Sequence, residues 1–344
     1  MGKKIKCLVW DLDNTVWDGT ILEDDKVTLK PDMISIIKAL DERGILQSVA
    51  SKNNYDAAMD QLKEFGLDEY FIYPQINWNS KADSIAQIAK SINIGIDTLA
   101  FIDDQPTERE EVRYSHQDVL VLDAVDYTKL LDMDEFTPRF ITEDSKKRRM
   151  MYQSDISRKQ EEAAFSGPNE EFLATLGMHL KLSRVKEEDL QRVEELTVRT
   201  NQLNSTGYTY SYEELTEYIH SDDYLFLIAE LKDRFGEYGK IGLVLIECDR
   251  EKYVIKLLLM SCRVMTKGIG TAILVYLIKT AQQNNKALYA EFLSTDKNRV
   301  MYITYKLMGF VEEGDESEDG KVLFQYASDI QREYPGYLTI EIEE

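Results

Sequence analysis

The sequence predicts an α/β protein of two domains: a doubly wound parallel sheet, then an α+β domain. Three observations predict it. Short apolar strands alternate with amphipathic helices from Cys7 to Leu122, the pattern of a parallel sheet covered on both faces. The first strand stops abruptly at Asp11-Leu12-Asp13, so it delivers two carboxylates to the carboxyl edge, where open α/β sheets bind ligands. Farther along, three consecutive strands lead to Gly268-Ile269-Gly270 and a long apolar helix. At 344 residues the chain is long for one core, which supports the division.

Composition narrows the function classes. A formal charge of −22 argues against nucleic acid and anionic membranes, so an acidic partner would need a local basic patch. No apolar run approaches the ~20 residues of a membrane span, and the N-terminus lacks the apolar core of a signal peptide. The expected location is the cytoplasm. Cys7, Cys248 and Cys262 show no CxxC or Cys/His spacing, which fits reduced thiols. Repeats and low-complexity tracts are absent from the sequence.

The first domain is expected over residues 1–140. After the strand at Cys7–Trp10, Lys30-Pro31-Asp32 opens a helix carrying Met33, Ile36, Ile37 and Leu40, stopped by Arg43-Gly44. A strand at Ile45–Ala50 ends in Ser51-Lys52-Asn53-Asn54, and a helix from Tyr55 to Phe65 stops at Gly66. A polar turn precedes Lys81 and a helix over Ala82–Ile92, with apolar residues at helical spacing. Thr98–Ile102 is a strand ending in Asp103-Asp104-Gln105-Pro106, and Val119–Leu122 is the last strand of this half.

Two carboxylates one residue apart repel unless a cation lies between them, and a hard ion with oxygen ligands, Mg²⁺, suits them. Asp11-x-Asp13-x-Thr15, then Ser51, then Lys81, then Asp103-Asp104, in that order, resembles the haloacid dehalogenase superfamily of phosphotransferases. The resemblance implies that Asp11 is a nucleophile forming an aspartyl-phosphate and Asp13 the general acid and base. It implies that Ser51 and Lys81, with Asn14, hold the phosphoryl oxygens. Asp103 and Asp104 would complete the Mg²⁺ site with Asp11 and the Asp13 carbonyl. Independently of family, attack by an anion on a phosphoryl group needs fixed positive charge on the equatorial oxygens. Taken alone, Lys81 also reads as a solvated lysine and Ser51 as a helix cap. Only a short loop fits between Asp13 and Lys30, and only one helix and a strand between Ser51 and Lys81. The domain therefore resembles a capless member, open to a large substrate or lidded by the second domain.

Residues 141–168 read as a charged linker, with Lys146, Lys147, Arg148 and Arg149 in one block, a short helix at Gln160–Ala164 and a break at Ser166-Gly167-Pro168. The block is either solvated or a dock for an acidic partner.

The second domain is expected over 169–344. Leu180–Ser183 reads as a strand and Glu187–Thr197 as a helix. Asp223–Leu231, Gly239–Cys248 and Tyr253–Cys262 read as an antiparallel meander. A helix over Ala272–Ala281, a strand at Ala287–Leu293, a helix over Val300–Met308 and a strand near Lys321–Tyr326 follow. Glu312–Gly320 and the Glu341–Glu344 tail read as solvated acidic segments. Strand, Gly-x-Gly, helix is a loop whose amides face a phosphate. With Asn298 and Tyr305-Lys306-Leu307-Met308-Gly309-Phe310 it resembles the GNAT acyltransferase fold, which implies that Gly268 and Gly270 grip a pantetheine arm. Where that loop usually begins with Arg or Gln, this chain has Met265, which suits a carrier-protein arm lacking the adenosine and pyrophosphate.

The two halves together, with Arg199-Thr200-Asn201-Gln202-Leu203-Asn204 and Ser261-Cys262-Arg263, resemble the FkbH-like glyceryl-loading enzymes of polyketide pathways. The resemblance implies that 1,3-bisphosphoglycerate acylates a cysteine, loses its remaining phosphate, and passes glyceryl to an acyl carrier protein through its phosphopantetheine arm. It puts Cys262 in the acceptor role and Asn201 and Asn204 in the acyl site. By themselves, Cys262 at a strand end also reads as inert core, and the two asparagines as helix caps. Arg263 and His220 are candidates to lower the Cys262 pKa. Cys7 and Cys248 read as structural, and His116 and His179 as surface or satisfied core residues. Two other readings stand: a Mg²⁺-dependent phosphatase whose second half only recognises substrate, and a binding scaffold.

Overall fold

The computed structural model describes residues 4–314, 317 and 319–343. Asp315, Glu316 and Glu318 of the acidic turn, and Glu344 of the acidic tail, lie outside the described residues. Two compact units divide the chain, Met1–Ile156 and Ser157–Glu344.

In the first unit, β1 (Cys7–Trp10) is buried on both faces. Leu8 and Trp10 join a core with Met33, Ile37 and Leu40 of α1 (Met33–Glu42) and with Ala58 and Leu62 of α2 (Tyr55–Glu64). Cys7 and Val9 face a second core, built on Ile85, Ile88 and Ile92 of α3 (Lys81–Ile92) and Val112 of α4 (Pro106–Ser115). Burial on both sides is why the strand reads as an unbroken apolar run. The indole N–H of Trp10 would be stranded there; it donates to Gln47 Oε1 at 3.1 Å.

The sheet order is β5-β4-β1-β6-β7, all parallel, with β4 at Leu46–Ser51, β5 at Gln75–Ile76, β6 at Leu99–Asp103 and β7 at Leu120–Asp123. Between Asp13 and α1 the chain forms a two-stranded hairpin, β2 (Trp17–Asp18) with β3 (Thr28–Leu29), where the sequence suggested a plain loop.

The expected linker is helical: α5 (Glu143–Lys146), then α6 (Arg148–Ala164), with the division between units falling inside α6. The basic block does not form one free patch. Arg148 is buried and donates to Gly44 O at 2.6 Å, and Arg149 pairs with Asp41 at 3.1 Å and Glu69 at 3.2 Å. Burial raises the Asp41 pKa, and Arg149 opposes that rise.

The second unit carries α7 (Asn169–Thr175) and an eight-stranded mixed sheet. The meander runs β8 (Met178–Arg184), β9 (Tyr224–Asp233), β10 (Gly236–Cys248) and β11 (Lys252–Met260), antiparallel throughout. Helices α8 (Leu190–Arg199) and α9 (Tyr212–His220) lie between β8 and β9 and cover one face. α10 (Ile269–Gln283) and α11 (Arg299–Met308) cover the other and flank β12 (Ala287–Leu293), which is parallel to β11. β13 (Phe310–Glu312) and β14 (Lys321–Tyr326) complete that side. The acidic tail is a strand whose Glu341 and Glu343 stay exposed: β15 (Leu338–Glu343) adds to β8 in parallel. Its Ile340 and Ile342 pack against the core, while Glu341 and Glu343 pair with His179 and Lys181 of β8.

Candidate functional site

β4, β1 and β6 are neighbours in register, Trp10 standing beside Val49 and Ile102. The next residues therefore fall side by side at the carboxyl edge, and Asp11 N extends the ladder to Ile102 O at 3.0 Å. Lys81 is the first residue of α3, whose N-terminus Ser80 caps through Asp83 N at 3.0 Å. Its side chain is 4% exposed, with Nζ 2.5 Å from Asp11 Oδ1 and 2.8 Å from Asp103 Oδ2. Thr15 Oγ1 donates to Asp11 Oδ2 at 3.4 Å, and the buried Ser51 hydroxyl acts to lower the Asp11 pKa.

Electrostatics follow from this packing. Burial raises the Asp11 pKa, and Lys81 opposes the rise. Asp103 is raised by burial first and by the Asp11 carboxylate second. Burial works against the Lys81 ammonium, but the two carboxylates outweigh it and hold its pKa above the usual value. Asp104 is raised by its own burial and by Asp103.

Oxygen atoms of Asp11, Asp103 and Asp104 lie within 4.8 Å of one another. Asp104 Oδ1 is buried without a hydrogen-bond partner, as a cation ligand would be. An all-oxygen anionic donor set around one ammonium suits a hard divalent ion such as Mg²⁺. The Asp13 carboxylate lies outside this group. Its Oδ1 accepts from Trp17 Nε1 at 2.8 Å and Ile21 N at 3.3 Å, and its Oδ2 from Asn53 Nδ2 at 2.9 Å. Asn14, expected at the phosphate, bonds the turn after β2: its Oδ1 accepts from Gly19 N at 3.1 Å, and its backbone is left-handed at φ 56°.

Sequence reasoning passed over Arg109. It is buried and donates to the carbonyls of Asp103 and Asp104, both at 2.8 Å, and to Asp123 at 2.6 Å. The signal was Pro106, which starts α4 directly after the aspartates and places Arg109 one turn later, beneath them. Asn53 was legible only as part of a polar strand end. Its amide is oriented because Asn53 Oδ1 accepts from Asn54 N at 2.9 Å.

Among the candidates of the second unit, Cys262 sits otherwise than expected. Cys262 does not end β11. The strand stops at Met260, and Cys262 opens a 3₁₀ turn, Cys262–Val264, where it is partly exposed. His220 pairs with Glu187 at 3.3 Å. Gly268 caps α10 in a left-handed conformation, φ 72°, and a Cβ there would collide with the Tyr337 hydroxyl. Gly270 lies in the first turn of α10, with the Met260 side chain packed on it. Asn201 is exposed beyond the end of α8, whereas Asn204 is fully buried, accepting from Thr206 N and Gly207 N at 3.2 and 2.9 Å. Cys7 is buried core; its burial raises the thiol pKa. His116 Nε2 meets Ala82 O at 2.9 Å, a satisfied histidine.

Residues 19–113 match the haloacid dehalogenase-like hydrolase family, so the first unit carries a haloacid dehalogenase-like domain. Among solved structures, the chain is similar to the N-terminal part of the protein BF1531 from Bacteroides fragilis, described as containing a phosphatase domain complexed with Mg. It shares 33% identity with that chain over 38% of its own length, with a TM-score of 0.35. It spans 40% of that chain's length. It is also similar to the ribosomal-protein-S18-alanine N-acetyltransferase of Escherichia coli, at 14% identity over 45% of this chain and 99% of that one, TM-score 0.34. Another similar structure is the PaiA N-acetyltransferase of Thermoplasma acidophilum with coenzyme A, at 18% identity over 43% and 99%, TM-score 0.35. No curated protein matches the chain. Among the described residues no helix is long and apolar enough to cross a membrane.

Proposed function

We propose that this protein is a glyceryl-loading enzyme of the FkbH-like type. It takes 1,3-bisphosphoglycerate, holds the acyl group as a thioester on Cys262, removes the remaining phosphate in the first unit, and passes glyceryl to the phosphopantetheine thiol of an acyl carrier protein. The observation that carries the phosphatase half is Lys81 held between Asp11 and Asp103 at the carboxyl edge of a parallel sheet.

Asp11 is the nucleophile: its oxygen forms a bond to phosphorus as the bond from phosphorus to the substrate oxygen breaks. Asp13 gives the leaving oxygen its proton, then takes one from the water that hydrolyses the aspartyl-phosphate. Trp17 and Asn53 aim the Asp13 carboxyl for both steps. Lys81 and Ser51 offset the charge on the phosphoryl oxygens. Asp11, Asp103 and Asp104 would hold Mg²⁺, which neutralises phosphoryl charge when bound. The Asp104 carboxylate oxygen left without a partner supports that assignment.

Acyl transfer from an acyl-phosphate to Cys262 forms a thioester, releases phosphate and leaves the carbonyl ready for another thiol. Mass spectrometry of the protein after incubation with 1,3-bisphosphoglycerate tests this. A thioester-bound glyceryl or phosphoglyceryl mass is expected on Cys262 and is absent from Cys262→Ala. An adduct that persists in Cys262→Ala, or that maps to Cys7 or Cys248, refutes the role of Cys262.

A second reading has a specific observation behind it. Tyr337 packs on Gly268, and Met265 stands where a basic residue would begin an acyl-CoA loop. Both favour a Mg²⁺-dependent phosphatase whose second unit only recognises substrate, and no adduct at any cysteine is its expected outcome.

A further inference from the structure

β11 and β12 pair only at their beginnings, Lys252–Ile255 against Ala287–Ala290, and then part. In the gap the backbone groups of β11 still need partners, because a buried amide left without a hydrogen bond is destabilising. The chain supplies them itself, from the loop between α8 and α9. Ser205 N donates to Leu258 O at 2.9 Å, Leu258 N donates to Ser205 Oγ at 3.0 Å, and Met260 N donates to Leu203 O at 2.8 Å. On the other side Leu293 N donates to Ser205 O at 3.1 Å. Asn298, at the start of α11, fastens the insert by donating to Asn204 O at 3.0 Å and to Leu293 O at 2.9 Å. Asn204, Ser205 and Asn298 are all fully buried.

We propose that Leu203–Ser205 is a built-in occupant of the β11–β12 gap, an autoinhibitory segment that an extended, amide-bearing arm must displace before the second unit can hold it. The proposal rests on the acyl-arm reading given above. An exposed strand edge accepts any extended chain that offers carbonyls and amides at strand spacing, whether peptide or pantetheine. Here the Leu203 carbonyl occupies Met260 N as an amide of the arm would, and Ser205 Oγ occupies Leu258 N as an acyl oxygen would. The insert carries no charge, matching an arm with no charge between its amides. Gly207, at φ 65°, lies two residues beyond Ser205, after the buried Thr206, and provides a pivot for withdrawal.

Hydrogen–deuterium exchange on the full chain with pantetheine tests this. Release of the insert makes residues 201–208 exchange faster while 256–261 stay protected by the arm. Calorimetry on Asn298→Ala, which loses the donor to Asn204 O, should show pantetheine binding about fivefold tighter than wild type, the worth of one net hydrogen bond. Should that variant not fold, Ser205→Gly deletes the acceptor of Leu258 N and is expected to act in the same direction. Pantetheine bound with 201–208 unchanged, or bound no tighter by the variants, overturns the occupant while leaving the acyl-arm reading intact. Pantetheine bound by none of the proteins overturns the acyl-arm reading and the occupant with it.

Discussion

Lys81 Nζ and Asp11 Oδ1 meet at 2.5 Å, although seventy residues separate them in the chain. The same ammonium also serves Asp103 at 2.8 Å, so one buried cation faces two buried carboxylates. The site is thus short of positive charge; three predictions follow from its chemistry and a fourth from burial in the second unit.

Asp11→Asn removes the nucleophilic oxygen at almost unchanged volume and also removes one of two repelling carboxylates. Phosphate release should vanish, while the melting temperature stays level or rises. Turnover above a tenth of wild type would sink the nucleophile assignment.

Lys81→Met leaves Asp11 and Asp103 without their counter-charge. Loss of one partner from a buried ion pair costs roughly 3–5 kcal/mol, so urea unfolding at neutral pH should shift by about that amount. The sign with pH is set by the carboxyls. Their folded pKa values lie above the ordinary range, so the folded state binds more protons than the unfolded chain and the lost stability returns as pH falls. A variant equally unstable at all pH values would contradict this.

Mg²⁺ should stabilise the first unit, by linkage, more than it does Asp104→Asn, and chelation should abolish phosphatase activity. Arg109→Met should weaken Mg²⁺ binding about tenfold although Arg109 offers no ligand, since it fixes the carbonyls of Asp103 and Asp104. Titration followed by melting temperature reads both; full activity after exhaustive metal removal would end the metal assignment.

In the second unit, burial pushes Tyr210 and Tyr305 far above the ordinary tyrosine value of 10.0. Folded, they keep protons that the unfolded chain releases, so stability is lost as pH rises through that ordinary value. Each contributes about 1.4 kcal/mol per pH unit in that window. Tyr305→Phe together with Tyr210→Phe should flatten the alkaline limb of the stability curve. An unchanged limb would show that these hydroxyls are solvated.

The first unit was largely legible because its elements are local. Helical spacing through Ile85, Ile88 and Ile92 and the continuous apolar run at Cys7–Trp10 report burial directly, and both are found as read. The hairpin of β2 and β3 was not, because two-residue strands carry no period. In the tail, Leu338, Ile340 and Ile342 alternate with polar residues as an edge strand does. Acidic composition obscured that pattern, and only pairing with β8 shows it.

By itself, the sequence determined the alternation of the main strands and helices in the first unit and the residue types delivered to the carboxyl edge, since a strand end places its next side chains wherever the sheet stops. Only the tertiary structure decided which of those groups meet. Lys81 reaching Asp11, Arg109 clamping the backbone beneath the aspartates, and Leu203–Ser205 lying between β11 and β12 depend on contacts between residues far apart in the chain. The physical reason is that a buried ammonium, guanidinium or peptide group must find a partner in three dimensions, and neither periodicity nor spacing says which one is within reach.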